Sequence, residues 1–74
     1  MLHGRVASFD EQRGDGEFVT DNGERFYFHC LDIADGSRSI RVGVRADAER
    51  AVGHRGRDDA VNVVAVSEPD VAHQ

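Results

Sequence analysis

Two short runs joined by an Asn-Gly step constrain this chain more than any other feature. Arg13-Gly14-Asp15-Gly16-Glu17-Phe18-Val19 leads through Asp21-Asn22-Gly23 into Arg25-Phe26-Tyr27-Phe28-His29-Cys30. Successive side chains of an extended strand point to opposite faces, so Phe26 and Phe28 share one face and Arg25, Tyr27 and His29 the other. Both residues of an Asn-Gly step tolerate positive φ, which predicts a hairpin between the runs. The pair therefore predicts a sheet with an apolar underside and an outer face of aromatic and cationic side chains, suited to single-stranded nucleic acid. The same alternation puts Asp15 and Glu17 on that outer face, where carboxylates repel phosphate. The functional question turns on this conflict.

Around the hairpin the chain reads as all-β. Strands are predicted at about residues 4–10, with Val6 and Phe9 as apolar anchors, 14–20 and 24–30. The β-branched run Ala60-Val61-Asn62-Val63-Val64-Ala65-Val66 gives another. In the loop after the third strand, Leu31 and Ile33 are candidates to tuck inward. Residues 44–52 are ambiguous, because Ala, Glu and Arg favour helix while Ala46/Ala48 alternate with Asp47/Glu49. A barrel needs a pairing partner at this place, so a fourth strand is predicted there. Phe18, Phe26, Phe28, Val6, Val63 and Ile33 form the expected core. Ala46 and Ala48 predict a shallow or cavity-bearing core beside the fourth strand, or a partner chain that covers it. Seventy-four residues make one domain, expected over residues 1–66, with 67–74 as a disordered acidic tail.

Charge narrows the choice of partner. The formal net charge is -5, which argues mildly against a polyanion. Its distribution is uneven. Residues 38–57 carry Arg38, Arg41, Arg45, Arg50, Arg55 and Arg57 against Asp47 and Glu49 alone, so the middle third is the anion-facing region. Every basic residue is Arg, which can hold phosphate bidentately and stack on bases. A single Cys excludes an internal disulfide and fits a reducing cytoplasm. No apolar run approaches the ~20 residues of a membrane span, and a soluble cytoplasmic protein is expected.

The order of these motifs resembles the cold-shock domain, a five-stranded oligonucleotide-binding (OB-fold) barrel, over about residues 1–66. Gly4-Arg5-Val6-Ala7-Ser8-Phe9 stands where that family has Gly-x-Val-Lys-Trp-Phe. Arg13-Gly14-Asp15-Gly16-Glu17-Phe18 stands on its first RNA-binding motif, and Phe26-Tyr27-Phe28-His29-Cys30 on its second. Leu31-Asp32-Ile33, Gly43 and Ala60-Val61-Asn62-Val63 parallel later landmarks. The resemblance implies a small five-stranded antiparallel OB-fold barrel that binds single-stranded RNA or DNA. The departures fall on the binding face. The family's platform Trp is Ser8 and its Lys is Ala7. The first motif's aromatics are Asp15 and Glu17, and one of the second motif's is Cys30. Tyr27 and His29 remain. Stacking is worth roughly 1–3 kcal/mol per base, so any binding is expected to be weak and sequence-tolerant.

The candidate nucleic-acid contacts are Arg13, Tyr27, His29, Arg38, Arg55 and Arg57. Against them stand ordinary surface roles, above all an ion pair from Arg13 to Asp15 or Glu17. The alternative is a protein-interaction module on the same fold, with Asp15 and Glu17 meeting a basic partner. Arg13-Gly14-Asp15-Gly16 makes no phosphate loop, having neither the Lys-Ser/Thr nor the helix that one requires. Strand alternation predicts that His29 and Cys30 point apart and cannot act as base and nucleophile. His3, His54 and His73 lack metal-ligand spacing with Cys30. No enzymatic activity, cofactor or metal is expected. A monomer or weak homodimer is expected, with no membrane partner.

Overall fold

The computed structural model describes residues 1–53 and 58–66. Arg55, Arg57, His54 and the expected tail at 67–74 lie outside the described residues. The strands are β1 (Leu2–Asp10), β2 (Asp15–Thr20), β3 (Arg25–His29), β4 (Arg45–Val52) and β5 (Asp58–Ala65), with one 3-10 turn at Cys30–Asp32. They close in the order β1-β2-β3-β5-β4, with β4 returning to β1. This is the expected small all-β, OB-like barrel of five strands. Its neighbours are antiparallel except at the closing seam, where β3 and β5 run parallel and meet at Tyr27 and Asp59, with Ile33 bridging Val63 nearby. No helix among the described residues is long and apolar enough to cross a membrane.

Glycines let β1 and β2 approach. A Cβ on Gly4 would lie 2.0 Å from the Val19 carbonyl oxygen, and one on Gly16 2.1 Å from that of Ser8. Neither distance is tolerable between non-bonded atoms, so the glycines set how tightly the strands coil. A bulge between Val6 and Ser8 shifts the register of β1 against β2 and sharpens the bend. The hairpin loop differs from the tightest Asn-Gly form. Only Gly23 takes a positive φ, of 92°. The Gly23 N–H donates to the Thr20 carbonyl (2.9 Å) and the Thr20 N–H to that of Glu24 (2.8 Å). This is a three-residue loop with glycine in the left-handed place. The Thr20 hydroxyl bonds the Asn22 side chain. Arg45 clamps both Asp21 oxygens at 3.1 and 2.7 Å. Those hydrogen bonds hold the Asp21 carboxyl below its ordinary pKa.

β4 forms despite its helix-forming composition because it is paired on both sides. Leu2 stands opposite Ala48 and Gly4 opposite Ala46 on β1, while Asp47 faces Val64 and Arg50 faces Ala60 on β5. Partner strands override local propensity. Ala46 and Ala48 are buried and take their place in the core opposite Gly4 and Leu2 of β1. Val6, Phe18, Phe26, Phe28, Ile33 and Val63 fill the interior as expected, joined by Ala60. Phe9 stacks on Phe28 with ring centres 5.8 Å apart. Leu31 does not tuck in. It lies in the 3-10 turn and is 68% exposed. Arg50 sits over the Phe26 ring (5.3 Å) and bonds Asp58 (2.8 Å), closing one end of the core with a cation.

Candidate functional site

The outer face of β1, β2 and β3 carries two cross-strand rows. Ser8, Glu17 and Tyr27 stand side by side in one, and Asp10, Asp15 and His29 in the other. The rows follow from period-2 alternation combined with the β1 bulge, which moves Ser8 opposite Glu17. Between Ser8, Asp10, Arg13, Asp15, Glu17 and Tyr27 lies an open cleft of about 380 Å³, with Phe9 and Gly16 at its floor.

The carboxylates of this face are already partnered. Asp15 Oδ2 accepts from an Arg13 guanidinium nitrogen (3.1 Å) and from the Tyr27 hydroxyl (3.0 Å). Glu17 Oε1 accepts from Arg25 (3.2 Å). Asp10 Oδ1 accepts the backbone N–H groups of Gln12 (3.0 Å) and Arg13 (3.2 Å), capping the turn between β1 and β2. Each Asp15 or Glu17 charge therefore has an Arg within contact. The bare repulsion toward phosphate expected from the sequence is replaced by short dipoles, whose field falls off faster than that of a single charge. The ordinary alternative for Arg13, an ion pair with Asp15, is what forms.

Tyr27 is half-buried, with its hydroxyl anchored and its ring lining the cleft. His29 ends β3 and caps the 3-10 turn. Its Nδ1 accepts the Leu31 N–H (3.2 Å), and its own backbone N–H donates to Asp32 (2.9 Å). The neutral ring thus carries its proton on Nε2. Strand alternation fails one residue further on. Cys30 belongs to the 3-10 turn, not the strand, and its Sγ lies 3.6 Å from His29 Nδ1. The expectation that these side chains point apart is corrected. The ring nitrogen facing the thiol is occupied by the Leu31 N–H, and among the described residues no third group orients the pair as a nucleophile–base arrangement requires.

The basic middle third divides. Arg45 and Arg50 are held by Asp21, Glu24 and Asp58. Arg38 and Arg41 lie exposed in the loop before β4 and make no ion pair among the described residues. Ser39 in that loop donates to Glu11 (2.9 Å), which ties the loop to the turn bearing Arg13. The structure thus brings Arg13, Tyr27 and His29 onto one face, with the loop of Arg38 beside it. Sequence reasoning placed Ser8 and Arg25 on this face but missed that Arg25 pairs with Glu17 and that Ser8 stands opposite Glu17. Arg25 was legible: it alternates with Tyr27 and lies diagonally across from Glu17, within reach of a long side chain. The register of Ser8 was hidden by the bulge between Val6 and Ser8. Compared with known proteins, the chain matches no family model and no curated sequence.

Proposed function

We propose that this barrel is a cytoplasmic, cold-shock-like module that binds single-stranded RNA or DNA weakly across the outer face of β1–β3. The observation that supports the reading is the pairing of Asp15 and Glu17 with Arg13, Tyr27 and Arg25. It turns an apparently acidic face into one of near-balanced charge around an aromatic ring. One ring offers roughly 1–3 kcal/mol of stacking, so most affinity comes from phosphate contacts by Arg38 and Arg41, with Arg13 held back by its pairing to Asp15, and it declines with salt. Titration with a mixed-sequence single strand at low salt, followed by backbone amide shifts, tests this. Shifts should map to Ser8, Glu17, Tyr27 and His29. Tyr27→Ala should weaken binding more than Tyr27→Phe; equal effects would exclude Tyr27 as a stacking platform.

A second reading rests on the net charge of -5 and on the exposure of Glu17, 41% at its side chain. Here the same face docks a basic protein segment, with Asp15 and Glu17 exchanging their internal arginines for the partner's. No oligonucleotide binding at low salt, with a lysine- and arginine-rich peptide shifting the same amides, would put this reading first.

A further inference from the structure

Stacking on a ring does not distinguish bases, since every base has a π-face. Discrimination comes from hydrogen bonds to the base edge. On this face the residue directly across from Tyr27 is Glu17, and directly opposed side chains have Cβ atoms about 4.5–5.5 Å apart. A base lying on the Tyr27 ring therefore has an edge within reach of the Glu17 carboxylate. Glu17 is half-open to solvent, and its Oε1 is held by a single guanidinium bond of 3.2 Å. Exposed pairs of this kind exchange at little cost. Asp15 is unsuited to the same task, because its side chain is only 15% exposed and Oδ2 already receives two donors.

We infer that the cleft beside Tyr27 selects a guanine base through the Glu17 carboxylate; the inference rests on the single-strand reading above and deepens it. An ionised carboxylate only accepts hydrogen bonds. Guanine alone presents two adjacent donors, N1–H and the N2 amino group, which match the two oxygens of a carboxylate. Adenine and cytosine offer one amino donor beside an acceptor lone pair. Thymine and uracil offer N3–H between two carbonyl oxygens, which repel the carboxylate on both sides. The expected order is guanine, then adenine and cytosine, then thymine and uracil.

The test uses the unaltered chain and three eight-nucleotide strands: all thymidine, the same with one central guanosine, and the same with one central inosine, which lacks the N2 amino group. Single guanosines avoid self-association of guanine runs. The guanosine strand should bind about 10-fold more tightly than the thymidine strand, with inosine between them. Glu17→Gln should bring the guanosine-to-thymidine ratio below about twofold, because an amide offers thymine a donor as well as an acceptor. It should not weaken thymidine binding, since a negative charge is removed. Equal binding of all three strands by the parent, or a preference surviving in Glu17→Gln, overturns the inference while leaving the single-strand reading standing. Failure of every strand to bind at low salt overturns both.

Discussion

Asp15→Asn isolates the electrostatic argument at the centre of this face. The substitution keeps the shape and an oxygen for the Tyr27 hydroxyl, 3.0 Å away in the parent, and removes one charge. It also releases Arg13, whose guanidinium side chain is 72% exposed. Asp15 is largely covered but its partner Arg13 is exposed, and the amide keeps an acceptor for the Tyr27 hydroxyl, so the loss is that of a solvent-screened pair and stability should fall by about 1 kcal/mol. The effect on binding is larger. A phosphate seated roughly 6 Å from residue 15 gains about 0.7 kcal/mol at an effective dielectric of ~80 and about 2.8 kcal/mol at ~20 when that charge is removed. The interval brackets a tightening of about 10-fold. The released Arg13 adds one phosphate contact, so the slope of log affinity against log salt should steepen by about 0.7. Fluorescence anisotropy of a labelled single strand at two or more salt concentrations reads both quantities. A folded Asp15→Asn chain whose affinity stays within twofold and whose salt slope is unchanged would refute the reasoning, since no phosphate then passes near Asp15.

Three further outcomes test the fold beneath the site. Phe28→Ala should cost ~3–5 kcal/mol by urea unfolding, because Phe28 is fully buried and stacked on Phe9; an unperturbed variant would mean that the β3 register is wrong. Gly16→Ala should cost at least ~2 kcal/mol, since the new Cβ would meet the Ser8 carbonyl at 2.1 Å, and a loss under ~0.5 kcal/mol would exclude so close an approach of β1 and β2. Hydrogen bonds from Arg45 lower the Asp21 pKa in the folded state, so their stabilisation is fully present above the unfolded carboxylate value of ~3.9 and is lost as pH falls through it toward the lowered folded value. The stability gap between the parent and Asp21→Asn should accordingly narrow below about pH 4, and an equal gap at neutral and acid pH would dismiss the Arg45 clamp as its source.

What was legible in the sequence follows period 2. Phe26 and Phe28 on one parity and Arg25, Tyr27 and His29 on the other gave the inner and outer faces of β3 directly. The closing β-branched run around Val63 signalled another strand. The alternation became unreliable where the backbone leaves the regular strand. The bulge after Val6 moved Ser8 opposite Glu17, and the 3-10 turn at Cys30 swung the thiol toward His29. Both are one-residue events with no compositional mark. The partners of the carboxylates were legible only as options, since Arg13 could have met Asp15, Glu17 or solvent. Three-dimensional register chose among them. Residue 44–52 helicity, favoured by composition, yielded to pairing on two edges that the segment itself does not encode.

In β2 and β3 two codes therefore share alternate residues, and they can be changed separately. The inward set, Gly16, Phe18, Phe26 and Phe28, carries several kcal/mol of packing, whereas each outward ion pair is worth ~1 kcal/mol or less. Replacing Asp15 and Glu17 together by Phe should then leave the barrel folded while rewriting the face. The net charge moves from -5 by two units, Arg13 and Arg25 are released, and two rings join Tyr27. Stacking at roughly 1–3 kcal/mol per ring predicts at least a ~10-fold gain in affinity. The same change deletes the Glu17 carboxylate, so the gain should come without base preference: thymidine and guanosine strands should bind alike. Opposite movement of affinity and selectivity in one variant is the signature of a stacking face whose carboxylate reads the base edge. A folded double variant that binds no strand more tightly than the parent would remove β1–β3 as the nucleic-acid face and leave Asp15 and Glu17 as contacts for a basic protein.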